Sequence, residues 1–247
     1  MGRVLVEVCC ASVEDVLEAE KGGADRVELN SDLFHGGLTP SIGEVIVAKE
    51  MSCIPVMAMV RPRPGGFCYT DTEFKTAMAD CKSLLCHGAD GIVFGFLHSD
   101  GTLDFDRCKA ILDIIGEKES VFHRAIDVVS DWRKTLDDLV SIGVRRVLTS
   151  GQEPDVFWGA DTIREMIRHA AGRIEILPGA GVTIKNAAAL VEKTGCTQIH
   201  IAKSIVYKDS STKNNRSIFY GGMLYPPEDE YTVIDSSFVT EVKGIVS

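Results

Sequence analysis

A chain of 247 residues, 45% hydrophobic and 25% charged with a formal net charge of −10, has the composition of an ordinary soluble globular protein. The acidic balance, with a pI near 5.1, disfavours nucleic acid and anionic membrane as partners, since both call for a basic patch. No apolar run reaches the roughly 20 residues of a membrane span.

The opening Met1-Gly2-Arg3-Val4-Leu5 runs into a strand pattern with no signal peptide. The eight cysteines form no CxxC pair. They are therefore expected as reduced thiols in the cytosol and not as a structural zinc site.

Taken in order, Val4–Cys10 reads as a strand, then Val13–Lys21 as a helix capped by Ser12 and stopped by Gly22-Gly23. Arg26–Asn30 is the second strand, and a glycine-bearing loop through Phe34-His35-Gly36-Gly37 leads to a helix over Ser41–Glu50. Pro55–Arg61 is the third strand, Asp71–Cys86 a helix and Gly91–Phe96 the fourth strand. Phe105–Ile115 is a helix, followed by a strand over Val121–Asp127. The helix Asp131–Ile142, strand Arg146–Ser150, helix Thr162–Ala170, strand Ile174–Pro178, helix Ile184–Lys193 and strand Gln198–Ala202 complete the pattern. Glycines at 23, 88, 143 and 195 each precede a strand by a few residues, two strand–helix units apart.

Eight strands alternating with helices predict a single TIM-type (β/α)8 barrel over residues 1–206. Residues 207–247 break the alternation. They read as a polar loop and a C-terminal helical appendage packed on the barrel, with Phe238, Val239, Val242 and Ile245 on its apolar stripe.

Period-two alternation sorts the strand residues by face. One parity collects Glu7, Glu28, Arg61, His123, Asp127, Thr149 and His200, mostly near the C-terminal strand ends where barrel active sites lie. Each has a plain reading as an internal ion pair or a satisfied core residue. So many together, each bearing a desolvation cost, favour a functional pocket. Glu7, Glu28, His123, Asp127 and His200 are the candidate catalytic residues, with His123 or Glu7 moving a proton and Asp127 orienting the histidine. Arg61, Arg63 and Arg124 are candidate anion-binding cations at the mouth, with Lys203 and Ser204 after the last strand. Thr149 and Ser150, and Gly179 and Gly181 in the Pro178-Gly179-Ala180-Gly181 turn, are further anion contacts, since amides after the last two strands commonly cradle phosphate in such barrels.

VEVCCAS (6–12), GGADRVEL (22–29), GGLTPS (36–41), VRPRPGGFCY (60–69), FHRAID (122–127), RVLTSG (146–151) and LPGAGV (177–182) together resemble the copper homeostasis protein family CutC, in order and across about residues 4–204. The resemblance implies a cytoplasmic barrel that is a homo-oligomer, dimer or tetramer, and handles copper(I). In relatives proposed to bind copper, one cysteine lies in the first strand, matched by Cys9. A second lies at the end of the second strand, where this chain has Asn30. Copper(I) prefers thiolate and thioether, and an amide oxygen replaces neither. Met57, Met59 and Cys68 are the remaining soft groups near those strands. Two functions thus stand side by side: a copper-handling protein using Cys9, and a barrel enzyme of unnamed reaction on a small phosphorylated or carboxylated metabolite.

Overall fold

The structure, a computed structural model, describes residues 3–222 and 225–247. Eight parallel strands form the barrel: β1 (Leu5–Cys10), β2 (Arg26–Leu29), β3 (Val56–Met59), β4 (Gly91–Phe94), β5 (Glu119–Phe122), β6 (Arg146–Thr149), β7 (Glu175–Pro178) and β8 (Gln198–Ile201). From β1 to β7 each ladder joins neighbours in sequence, and β1 also pairs with β8. At the remaining seam β7 lies beside β8 without a ladder between them.

The helices α1 (Val13–Lys21), α2 (Ile42–Met51), α3 (Asp71–Cys86), α4 (Phe105–Ile115), α5 (Trp132–Ile142), α6 (Ala160–Ala170) and α7 (Ala187–Thr194) cover the strands. Their starts follow local chemistry. Ser41 caps α2 and Thr70 caps α3, each closing a capping box with the glutamate three residues on. Gly143, at φ +88°, ends α5 in the left-handed conformation that a Cβ disfavours.

Two cores result. Val6, Val8, Val27, Ala58, Ile92, Phe94, Phe122 and Val147 pack outward beneath the helices. Met57, Met59, Val93, Val121, Leu148 and Leu177 fill the barrel itself. Below them, at the N-terminal end, Glu7 is paired with Arg26, which also reaches Gln198. Arg146 donates to Glu175 at 2.7 Å beside it. These buried charges are tolerable because each has an opposite partner.

Three sequence expectations change. The stretch 123–127 is not strand: β5 ends at Phe122, and Arg124–Val128 forms a 3-10 turn. His123 and Asp127 therefore do not share a strand face. The expected loop after residue 206 is partly sheet. β9 (Ser204–Lys208) and β10 (Glu230–Ile234) make an antiparallel hairpin, which takes the place of a helix after β8. The last helix, α8 (Ser236–Val246), buries Phe238, Val239, Val242 and Val246, while Ile245 is 37% exposed, so the apolar stripe is one residue off the expected one.

α8 packs on α1 and α7. Asp15 accepts from the Ile234 amide at 2.8 Å, and Lys243 pairs with Asp25. A Cβ on Gly22 would stand 2.6 Å from that of Val239, so the α1 C-terminus is shaped for this contact.

Candidate functional site: a polar cavity at the barrel mouth

A cavity of about 550 Å³ opens at the C-terminal end of the barrel. Its wall includes Cys9 and Glu28 from β1 and β2, His123 after β5, His200 from β8 and the 180–182 turn after β7. Met59 and Leu148 supply apolar floor.

Cys9, Glu28 and His200 bring one potential ligand atom each within 4.8 Å of one another. Glu28 Oε1 accepts from Asn30 Nδ2 at 3.0 Å and faces the Cys9 sulfur at 3.8 Å, while its Oε2 is buried without a partner. Burial, joined by the charge of Glu7, pushes the Glu28 carboxyl above its ordinary value. Burial does the same to the Cys9 thiol, and Glu28 adds to it.

His200 Nδ1 lies 2.7 Å from Glu7 Oε1, which leaves Nε2 without a protein partner among the described residues. Burial alone would lower the pKa of His200, but the Glu7 hydrogen bond and the charges of Glu28 and Glu7 outweigh it, and the shift is upward. Burial likewise opposes ionisation of Glu7, yet Arg26 and His200 hold it down at about 2. Glu7 sits beneath the cavity as an anchor. It is not poised to exchange protons near neutrality.

His123 is 4% exposed. Its Nδ1 accepts from the Ala125 amide at 3.1 Å, so the ring proton belongs on Nε2, which is buried and unpartnered. Burial, with Arg61 nearby, lowers its pKa to about 3, and the imidazole is neutral at physiological pH. Phe67 packs on it with ring centroids 4.7 Å apart. Asp127 does not orient this ring. Its carboxylate accepts from Thr149 Oγ1 at 2.5 Å, the Ser150 amide at 3.0 Å and Arg124 Nε at 2.8 Å.

Three glycines make room for this chemistry. A Cβ on Gly37 would stand 2.5 Å from Asn30 Oδ1, and one on Gly95 2.5 Å from His123 Nδ1. On Gly179 it would stand 3.0 Å from the Cβ of His200. Each polar side chain thus occupies space that a glycine on another segment leaves empty, after β4 for His123, after β7 for His200 and in the β2–α2 loop for Asn30.

The expected anion contacts are not gathered at the mouth. Arg61 lines the cavity but is 7% exposed. It donates to the carbonyls of His35, Gly37 and Gly65 at 2.8–3.0 Å, clamping two loops. Arg63 turns away to Glu73 at 2.6 Å and to the Cys68 carbonyl. Thr149 and Ser150 are occupied by Asp127. The Gly179 amide donates to Thr149 O at 2.9 Å. Lys203 is exposed, and its carbonyl accepts from Asp235 at 2.9 Å as the chain enters the hairpin with Ser204. Arg124 and Gly181 remain in the cavity wall.

Parity pursued one residue pair further toward the strand starts would have added Arg26 and Gln198, two of the supports beneath the site. In β6 the expected parity is one residue off: Leu148 fills the barrel while Val147 packs outward, so Arg146 and not Thr149 is on the inward parity. Phe67 carried no such signal, because it comes from a loop.

A profile of the CutC family matches residues 4–205. The chain belongs to the CutC family. A CutC family protein of Treponema denticola is 52% identical over 242 residues, 98% of each chain. The human protein named copper homeostasis protein cutC homolog is 40% identical, covering 98% of this chain and 88% of that one. The crystal structure of the CutC protein of Streptococcus agalactiae, 33% identical, superposes with a TM-score of 0.76 over 80% of this chain and 97% of the other. A thiamine phosphate pyrophosphorylase from Pyrococcus furiosus, at 14% identity and TM-score 0.59, shares the barrel fold. Among the described residues, no helix of this CutC family member is long and apolar enough to cross a membrane.

Proposed function

We propose that the protein acts in copper homeostasis by binding one copper ion as cargo at Cys9 and His200, with Glu28 beside them. The observation that carries this reading is the convergence of these ligand atoms within 4.8 Å, together with the unpartnered Oε2 of Glu28. The names of the relatives point the same way. Thiolate and imidazole both suit copper. The glutamate behind His200 is the kind of carboxylate partner that fixes the ring of a metal-binding histidine and leaves its other nitrogen for the ion. Asn30 leaves one thiol where two would favour copper(I) more strongly. Because the Cys9 thiol is held protonated, copper must displace that proton, and binding releases it.

Under this reading the protein works in the cytoplasm with its cysteines unpaired. It assembles as a homo-oligomer, whose contacts would cover exposed apolar side chains such as Val128 and Trp158.

Anaerobic copper(I) titration of the wild type against Cys9→Ser and His200→Phe tests the reading. One equivalent bound by the wild type, and weakened by both substitutions, supports it. Equal binding by all three places copper elsewhere and removes the proposal.

A further inference from the structure

The turn after β7 brings unused hydrogen-bond donors to the cavity wall. After β7 the chain passes through Ala180 at φ +78° and Gly181 at φ +85°, and Ala180 holds a conformation that costs an L-residue with a Cβ. Among the described residues, the amides of Ala180, Gly181 and Val182 donate to no protein acceptor, although the Ala180 carbonyl and the Thr183 amide on either side are both engaged. All three residues line the cavity. Across it stands His123, 4% exposed, its Nε2–H buried and unpartnered. A buried donor without an acceptor is costly unless something completes it. Arg124 lines the same wall, with its side chain 44% exposed. Two carboxylates lie nearby: Asp127 is saturated by hydrogen bonds, and Asp155, which packs against the Cα of Gly181 from outside the residues that line the cavity, accepts from the Phe157 amide at 2.8 Å.

We infer that this part of the cavity wall binds a small organic oxyanion, a phosphate or carboxylate, whose charged end sits on the amides of Ala180, Gly181 and Val182 beside Arg124 and whose further oxygen accepts from His123 Nε2–H. Successive free amides form a concave anion site without needing a formal cation. A neutral imidazole with its proton fixed on Nε2 can only donate there, so the group that meets it must be an acceptor such as a carbonyl or hydroxyl oxygen. The cavity volume of about 550 Å³ admits a molecule with both features. This inference uses none of the proposed copper ligands and stands or falls apart from them.

The test is an NMR titration of the ¹⁵N-labelled full chain with inorganic phosphate, acetate or chloride at matched ionic strength. Phosphate or acetate should shift the amide signals of Ala180, Gly181 and Val182 saturably, with a dissociation constant of about 1 mM or tighter, while chloride leaves them in place. Whichever of the two binds tighter identifies the charged end. Arg124→Gln should weaken binding about tenfold. A probe carrying both features, 2-phosphoglycolate, should lose affinity in His123→Phe while inorganic phosphate does not. The same shifts in Cys9→Ser separate this site from an anion riding on a bound metal, and their loss there would overturn the inference. So would amide shifts at 180–182 no larger with phosphate or acetate than with chloride, a result readable on the wild type even if a variant fails to fold.

Discussion

Asn30 sets its side-chain nitrogen 3.5 Å from the sulfur of Cys9, across the β1–β2 ladder at the strand ends. A thiol at residue 30 would therefore lie beside the first one. Asn30→Cys should bind copper(I) at least about tenfold more tightly than the wild type, because a second soft ligand replaces an amide. Competition against a chromophoric copper(I) chelator under argon measures this. No gain in affinity would mean that copper does not use Cys9.

Glu7 is the anion that Arg26 and His200 share inside the barrel. Glu7→Gln strands both, and removing one partner from a buried ion pair costs about 3–5 kcal/mol. Urea unfolding near neutral pH should show that loss, and the His200 imidazole resonances should titrate at lower pH than in the wild type. The acid limb should change as well. With Glu7 held at about 2 when folded and near 4.5 otherwise, its contribution is present above about pH 4.5 and is lost as pH falls toward 2. In the glutamine variant that part of the acid loss disappears.

His123 governs a different window. Its folded pKa of about 3 lies below the ordinary 6.5, so the unfolded chain takes up a proton that the folded one refuses. Stability is unaffected above about pH 6.5 and falls as pH drops from there toward 3. His123→Phe should flatten the stability–pH profile between about 6.5 and 4.5, where Glu7 contributes little. Parallel slopes for wild type and variant in unfolding curves across that range would count against a buried neutral histidine.

Gly95→Ala drives a methyl group against the His123 ring, and overpacking of this kind costs about 1–3 kcal/mol. Removing the ring should relieve it. In a double-mutant cycle with His123→Ala, the two changes should couple by at least about 1 kcal/mol in the relieving direction. Strict additivity would show that the glycine serves something other than the histidine.

The barrel was readable from the chain because its signals are local. Capping residues, helix-ending glycines and strand parity act within a few residues, and parity alone placed Cys9, Glu28 and His200 on one wall. It failed beyond Phe122, where the strand ends and period two no longer applies. It also could not say where a long side chain turns. Arg61 starts inside and folds onto loop carbonyls, and Arg63 swings out to Glu73. The β9–β10 hairpin stayed hidden because its two strands are separated by a long polar segment. The support from Arg26 and Gln198 depends on a contact 172 residues apart in sequence, which no short pattern reveals.

The glycine–polar pairs have a consequence for transplanting this chemistry. Moving Asn30, His123 or His200 alone onto another eight-stranded barrel would set each side chain against a Cβ in the host. What can be grafted is the couple: residue 30 with 37, 123 with 95, and 200 with 179. Each couple spans two segments of the chain, so a designer who copies side chains one strand at a time would carry over the functional groups and leave behind the empty space that holds them.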